Sequence, residues 1–292
     1  MSRFTTFSQL CKFAKRQYCS DSQNHLINEC FKQGRIDKYK AVTVNLSPLP
    51  EDTSRNSFKK ILSRYVEDYS RAGIIACWMS LPISKSFLIP PAAELGFEFH
   101  HAEKNNATLI KTLSTSSSIP LFASHQVGVA GCVVNDESKE ILFVKDKHRP
   151  ETHSFSRWKL PGGLADLGED IADAAVREVY EETNIQAKFQ GILSFRQHHS
   201  FPGAWGRSDL YFICHLKPIT TDIQHCTREI QDCKWITLEE IKNDQHISPV
   251  TRAVIAMVDE GLSTNWRKVN WESKVMPSVY PGQTYTLFSS VC

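Results

Sequence analysis

The stretch from Gly163 to Ile185, GLADLGEDIADAAVREVYEETNI, constrains this chain more than any other. Gly163 is followed after five residues by Glu169 and after seven more by Arg177-Glu178-Val179. One residue on come Glu181-Glu182, then Thr183, Asn184 and Ile185. Pro161, Gly162, Gly163 and Gly168 predict a flexible loop. Ala172, Ala174, Ala175, Val176, Arg177 and Glu178 all suit a helix interior. Asp170 stands where a carboxylate accepts the orphan N–H groups of a first turn. Asn184 is the next-best residue to glycine for a left-handed C-terminal cap. The expected helix starts near Ile171 and places Glu178, Glu181 and Glu182, related by i, i+3 and i+4, on one face within about 100° of each other. Ala172, Val176 and Val179 fall on the other side, ready to pack on a sheet. Like charges at that spacing cost about 0.2–0.5 kcal/mol per pair. Bound divalent cations, which prefer carboxylate oxygen, would turn that repulsion into attraction.

This pattern resembles the Nudix box, the signature of enzymes that cut pyrophosphate linkages with Mg²⁺ or Mn²⁺. Its one departure is Asn184 where a second glycine is usual, a change that keeps the backbone shape. A chance match of the six identities Gly163, Glu169, Arg177, Glu178, Glu181 and Glu182 is on the order of 1 in 10⁷ per start position. The segments Ala123–Gly131, Lys159–Leu164 and Ser208–Phe212, with Pro91–Phe97 and His100–Glu103, narrow the resemblance to the nucleoside diphosphate-linked moiety X motif 6 subfamily, over roughly residues 40 to 290. The resemblance implies an α/β (α+β) protein: a Nudix α/β/α sandwich with a mixed sheet, preceded by a small α/β domain similar to part of an acetyltransferase fold. It implies metal ligation by Glu178, Glu181, Glu182 and the carbonyl of Gly162, and a pair between Glu169 and Arg177 that pins loop to helix. It also implies a small-molecule substrate, a nucleoside diphosphate derivative such as ADP-ribose or NADH, since plant relatives act on these.

Composition narrows the alternatives. A net charge of +2 and no basic stripe argue against a nucleic-acid steering field, and so against mRNA decapping. There is no apolar run long enough to span a membrane. Nine cysteines, at 11, 19, 30, 77, 132, 214, 226, 233 and 292, form no CxxC and read as reduced thiols of an intracellular protein. The first residues hold Arg3, Lys12, Lys15 and Arg16 and no acid before Asp21. Phe4, Phe7, Cys11, Ala14 and Tyr18 would form an apolar stripe on a helix. That is either a mitochondrial transit peptide, with Arg16-Gln17-Tyr18 as a processing site, or a disordered cytosolic leader.

The expected organisation is a leader over residues 1–22, a first domain over 40–115, a hydrolase domain over 124–263 and an aromatic tail over 264–292. In the first domain, 40–46 and 74–81 read as strands around a helix over 56–72, whose stripe is Phe58, Ile61, Leu62, Tyr65, Val66 and Tyr69. Ser54 is its cap and Gly73 its stop. Pro91 to Glu94 reads as a short helix, and 97–101 and 107–113 as strands, before a Ser-rich linker at 114–120. Only Gly73 and Gly96 occur there, too far apart for the glycine-rich pyrophosphate nest an acyltransferase needs. Beyond it, strands at 127–134, 140–144 and 158–160 lead into the box. Strands at 189–197, 209–216 and 234–237 and a closing helix over 250–260 follow it. The tail, with Trp266, Trp271, Tyr280, Tyr285 and Phe288, is too aromatic for a linker and packs on the body or a partner, a second copy among the options.

Around the box, Glu182 or Glu181 is the candidate to orient or deprotonate the attacking water. Glu229, six residues before Trp235, is a further metal ligand or base, or an exposed loop acid. Phe155, Trp158, Phe201 and Trp205 are candidates to stack on a base or nicotinamide, with the apolar strand around Trp158 giving it a core alternative. His198-His199 is a catalytic or a structural pair, and Pro202 is a specificity mark or a turn. The rival to an active enzyme is a catalytically weak binding or regulatory protein that keeps the box.

Overall fold

The computed structural model describes residues 5–6, 22–114, 119–147, 158–200 and 204–290. Phe155, Phe201 and Pro202, residues 115–118 of the linker and nearly all of the leader lie outside the described residues. Within the leader, Thr5–Thr6 is not helical but extended (β1), pairing with Arg35–Ile36 (β2). The chain divides into two compact units, Met1–Phe122 and Ala123–Cys292.

The first unit is built on a sheet of order β1-β2-β3-β4-β6-β5, with β3 at Ala41–Asn45, β4 at Ala76–Pro82, β5 at Glu98–Glu103 and β6 at Asn106–Thr112. Parallel β3 and β4 are joined through a helix over Arg55–Arg71. That helix starts where predicted: the Ser54 hydroxyl accepts the amide of Ser57 at 3.4 Å. Phe58, Ile61, Leu62, Tyr65 and Tyr69 are all buried, so its stripe faces the core. Burying a side chain such as Phe58 contributes about 1.5–3 kcal/mol. The sequence reading made no element of residues 22–36, yet Ser22–Lys32 is a helix (α1, with Arg55–Arg71 as α2). Only Ile27, Cys30 and Phe31 of its apolar residues enter the core, too few in a short segment for a clear period. Its place is fixed by tertiary bonds: Tyr69 Oη donates to the carbonyl of Phe31 at 2.7 Å, and the Phe31 and Tyr65 rings stack at 5.1 Å. The expected short helix is longer, a 3₁₀ turn over Ile83–Leu88 running into α3, Ile89–Ala93.

The second unit holds an eight-stranded sheet. Its strands are β7 (His125–Asn135), β8 (Glu140–Asp146), β9 (Trp158–Lys159), β10 (Ala187–His198), β11 (Ser208–Pro218), β12 (Ile230–Thr237), β13 (Trp271–Pro277) and β14 (Thr284–Ser290). The order is β12-β8-β7-β11-β10-β13-β14, with β9 beside β8. Among the described residues only β7 and β11 pair in parallel, so the sheet is mixed. The box helix α4 (Ile171–Thr183) covers one face, and α5 (Leu238–Asn243) and α6 (Pro249–Thr264) the other. Side chains alternate along β7: Val129 and Val133 meet Ala174, Ala175 and Val179 of α4, while Ala130, Cys132 and Val134 meet Val254, Ile255 and Val258 of α6. This is the α/β/α sandwich the sequence predicts. On α4 it is Ala174 and Ala175, not Ala172, that are fully buried beside Val179.

β7 and β8 pair only at Val134↔Ile141 and Asn135↔Glu140, then part. Into the split runs the segment that precedes the box. Lys159 and Trp158 pair with Val144 and Lys145 of β8. On the other side Pro161 and Gly163 offer their carbonyls to the amides of Gly131 and Val129 of β7, each at 2.9 Å. The loop residues Gly162 and Gly163 are thereby held inside the sheet.

The tail, expected to pack, forms the β13–β14 hairpin, attached to β10 at Ile192↔Trp271. Phe288 meets Phe189 at 6.2 Å between centroids, and Trp266 stacks on His215 at 3.5 Å. Tyr280 and Tyr285 stay exposed. The His215 imidazole is buried, and burial lowers its pKa from 6.5 to about 4. A depressed histidine supports the fold fully above its unfolded pKa, and that support drains as pH falls from about 6.5 to about 4. Denaturant melts are expected to show the wild type losing on the order of 3 kcal/mol more across that window than His215→Gln; equal slopes would refute this placement of the charge.

Candidate active site

The box helix enters as predicted in position but not in mechanism. Asp170 is the cap residue with extended backbone, yet its carboxylate makes no capping bond. The acid that organises the entrance is Glu169, which accepts the amide of Asp166 at 2.8 Å. It also takes two bonds from Arg177, Nε to Oε1 at 2.7 Å and Nη2 to Oε2 at 2.8 Å. This planar fork and the Asp166 amide hold the Glu169 carboxyl down at about 2. Arg177 reaches further, to Glu178 at 3.0 Å, Glu181 at 3.2 Å and the carbonyl of Leu164 at 3.1 Å. One guanidinium thus answers the repulsion among the box acids and ties the loop to the helix. At the far end Asn184 is left-handed, φ 61°, and its amide reaches the carbonyl of Tyr180, so the departure from glycine costs the cap nothing in shape.

The three helix acids share an arc but not an environment. Their side chains are 15% (Glu178), 56% (Glu181) and 8% (Glu182) exposed. Glu178 and Glu182 both end at the inserted glycine segment. Glu182 Oε2 accepts the amide of Gly162 at 2.9 Å. The Glu178 carboxylate lies where a side chain on Gly163 would go, its oxygens 2.7 Å from an ideal Cβ. At Gly162, φ is +154° and a Cβ would meet the carbonyl oxygen of Val129 at 2.1 Å. Glycine is required at Gly162, where a Cβ would strike backbone; at Gly163 a Cβ would displace the Glu178 carboxylate from its place. The carbonyls of Pro161 and Gly163 are tied to β7, whereas among the described residues no hydrogen bond ends on that of Gly162.

Two residues to which the sequence reading gave no role complete the charge arrangement. Lys159 Nζ lies 2.7 Å from Asp146 and 3.9 Å from Glu182. Burial raises the Glu182 carboxyl to about 7, with Lys159 and the Gly162 amide pulling the other way. Burial raises Glu178 as well, against the opposing pull of Arg177. Asp146 ends the apolar run of β8, and Lys159 stands in the Lys-Leu-Pro-Gly-Gly stretch. The second was visible as a motif, but only the strand pairing brings the two together.

The remaining candidates are scattered. Glu229 is exposed, and its carbonyl accepts the amide of Lys147 just past β8. Nearby, the amides of Cys226 and Gln224 bond the last carbonyls of α4, at Glu182 and Thr183, so this loop closes the end of the box helix. Trp158 is half-buried against the core, with Lys145 Nζ 4.1 Å from its ring centroid and Lys234 Nζ 5.1 Å away. It lines a cavity of about 200 Å³ that also touches Lys159. Trp205 is 86% exposed and lines no part of that cavity. His199 Nδ1 bonds Ser208 Oγ at 2.7 Å, and its ring lies 6.2 Å from that of His125, at the end of β10 and β11.

The donor set suits a hard cation: two carboxylates and an uncommitted carbonyl converge on one glycine segment. Among the described residues no three His, Cys, Asp or Glu side chains close around one point, since Glu181 is turned to Arg177. Two carboxylates, completed by water and a substrate phosphate, are a usual Mg²⁺ arrangement.

Residues 125–256 match a family model described as NUDIX domain, and residues 33–113 one described as Nudix hydrolase domain. The chain is 39% identical over 259 residues to nucleoside diphosphate-linked moiety X motif 6 of Mus musculus, spanning 88% of this chain and 82% of that one. It is 38% identical to the Homo sapiens counterpart over 269 residues, 91% and 84% of the two chains. Against Nudix hydrolase 8 of Arabidopsis thaliana it is 34% identical over 259 residues, 87% and 68% of the two. Among solved structures, the MutT protein of Methanosarcina mazei Go1 aligns at TM-score 0.39 and 20% identity, covering 48% of this chain and 97% of that one.

A raised carboxyl stabilises a fold fully below its unfolded pKa, and that contribution is lost as pH rises through the folded value. For Glu182 the window runs from about 4.5 to about 7. Metal-free Glu182→Gln is therefore expected to be more stable than wild type at pH 8, by on the order of 1–3 kcal/mol, and equal to it near pH 4.5. Denaturant melts in a chelator test this, and a glutamine variant weaker at pH 8 would refute it.

Proposed function

Because the chain belongs to the Nudix hydrolase family, we propose that it hydrolyses the pyrophosphate bond of a nucleoside diphosphate derivative, ADP-ribose or NADH foremost, with Mg²⁺ or Mn²⁺. The observation that carries the reading is the convergence of Glu178 and Glu182 on the Gly162–Gly163 segment. These two carboxylates and the Gly162 carbonyl would hold the cation, with Glu181 drawn in from Arg177. When bound there, the metal would neutralise the diphosphate and lower the pKa of a water.

The chain's own residues supply the rest. Arg177 and Glu169 fix the loop so that the acids are placed before substrate arrives. Lys159, beside Glu182, marks where a diphosphate finds a cation between the acids and the neighbouring cavity. The water's proton passes to Glu182 or Glu181. Attack breaks the P–O–P bridge and yields two phosphomonoesters. The cavity beside Lys159, walled by aromatic rings, supports a ring-bearing substrate over a bare diphosphate.

Incubation of ADP-ribose, NADH, NAD⁺, FAD, CoA and capped RNA with either metal, resolved by chromatography, tests the reading. Cleavage of a nucleoside diphosphate derivative, lost at least about 100-fold in Glu182→Gln, is expected. A folded, metal-loaded wild type that yields no product would overturn it in favour of a binding role, and an unchanged Glu182→Gln would move the proton transfer elsewhere.

A further inference from the structure

The cavity of about 200 Å³ lies between the sheet and α6. That is smaller than the roughly 300–1,000 Å³ of a site for a whole drug-sized ligand, so it receives one part of a substrate. Its floor is apolar, from Ala130, Leu160, Ile213 and Val254, and its walls include the rings of Trp158 and Tyr211. A phosphate would find few N–H donors on such a floor, whereas a flat heterocycle would find van der Waals contact and ring faces.

At its edge stands Arg196. It lies on β10 directly opposite Tyr211 of β11, its guanidinium 4.8 Å from the Tyr211 ring centroid. Its Nη2 is 3.2 Å from Asp209 Oδ2. Asp209 is only 3% exposed, and its other oxygen accepts Gln126 Nε2 at 3.1 Å. Burying a carboxylate is costly unless it is paired. Here the buried charge is matched by an arginine whose own side chain is 34% exposed and lines the cavity. Among the described residues Asp209 is its one ionic partner. A guanidinium carries five N–H donors in a fixed fork. With its guanidinium over the Tyr211 ring and Nη2 at ion-pair distance from Asp209, it has N–H groups left to offer a ligand. Among the described residues the lining includes the cations Lys159, paired with Asp146, and Arg196, paired with Asp209, and no acid.

We infer that Arg196 is a specificity-determining residue: positioned by Asp209 and Tyr211, it donates to the ring acceptors of the substrate's heterocycle, which lies in this cavity. The inference deepens the hydrolase reading and rests on it for where the diphosphate sits. One N–H of the planar edge fits a ring-nitrogen acceptor such as N7 of a purine, and where the base also carries a carbonyl, as guanine does, the fork takes both.

Calorimetric titration with nucleoside monophosphates and with ribose 5-phosphate, which lacks a base, tests this without turnover. Wild type is expected to bind at least one nucleoside monophosphate more tightly than ribose 5-phosphate. Arg196→Met should erase that preference, on the order of tenfold or more, while leaving ribose 5-phosphate binding near wild type. Because it strands the buried Asp209 charge, it lowers the melting temperature. Arg196→Met/Asp209→Asn, which removes that charge, should show the same loss of preference in a fold restored toward wild-type stability. Arg196→Lys should not restore the preference, because an ammonium lacks the fork. Asp209→Asn should lose part of it. In hydrolysis, Arg196→Met should raise KM with kcat within about threefold, the mark of lost uniform binding. Equal weakening of ribose 5-phosphate would make Arg196 a phosphate ligand and overturn the inference, as would a wild type that shows no preference for a base. A wild type that cleaves nothing, yet binds a nucleoside monophosphate through Arg196, would overturn the hydrolase reading and leave this inference standing.

Discussion

The bond from the Gly162 amide to the Glu182 carboxylate joins the two parts on which the site depends. One is the box helix, lying across one face of the sheet. The other is the glycine segment, threaded between β7 and β8 where those strands part. The helix packs through Ala174, Ala175 and Val179, small and apolar residues that let it lie close. That closeness is what buries Glu182, and burial is what raises its proton affinity. The acid's chemistry is therefore a consequence of helix-to-sheet packing.

Arg177 solves the problem this packing creates. Three acids within one and a half turns, with Glu169 brought in by the loop, would repel one another in a medium poorer than water. A lysine could offset the charge, but only a planar fork can meet Glu169 with two bonds and still reach Glu178 and Glu181. The arrangement leaves Glu169 firmly ionised and serving as a tether, while Glu178 and Glu182 are pushed the other way by burial. The same residue type takes two roles because one copy is hydrogen-bonded at the loop and the others are pressed against backbone.

Much of this was legible in the sequence wherever the information is local. The helix bounds and the left-handed Asn184 follow from spacing within one segment, as do the α2 stripe and most strands, and the Glu169–Arg177 pair is what the resemblance of that segment implies. Where the sequence reading fell short, the deciding contacts are distant in sequence. Asp146 and Lys159 meet because β8 pairs with β9. Asp209 meets Gln126 through the parallel β7–β11 pairing and Arg196 through β10. Helix α1 is held by Tyr69, 38 residues beyond its partner Phe31. The Asp170 cap is half realised: the residue takes the extended backbone of a cap, but its carboxylate accepts no first-turn amide.

Lys159 divides the second unit's chemistry in two. On one side are the acids Glu178, Glu181, Glu182 and Asp146, suited to a cation. On the other is a cavity whose lining includes Lys159 and Arg196 and no acid. In a nucleoside diphosphate derivative the charge sits on the diphosphate, apart from the flat and uncharged base. On the proposed function, the order of the two regions, acids, lysine, apolar cavity, arginine, would set the direction in which such a molecule lies. Reversed, it would set an uncharged ring against buried carboxylates and leave their charge without a partner. Orientation here comes from which groups would be stranded by the wrong pose as much as from the contacts made in the right one.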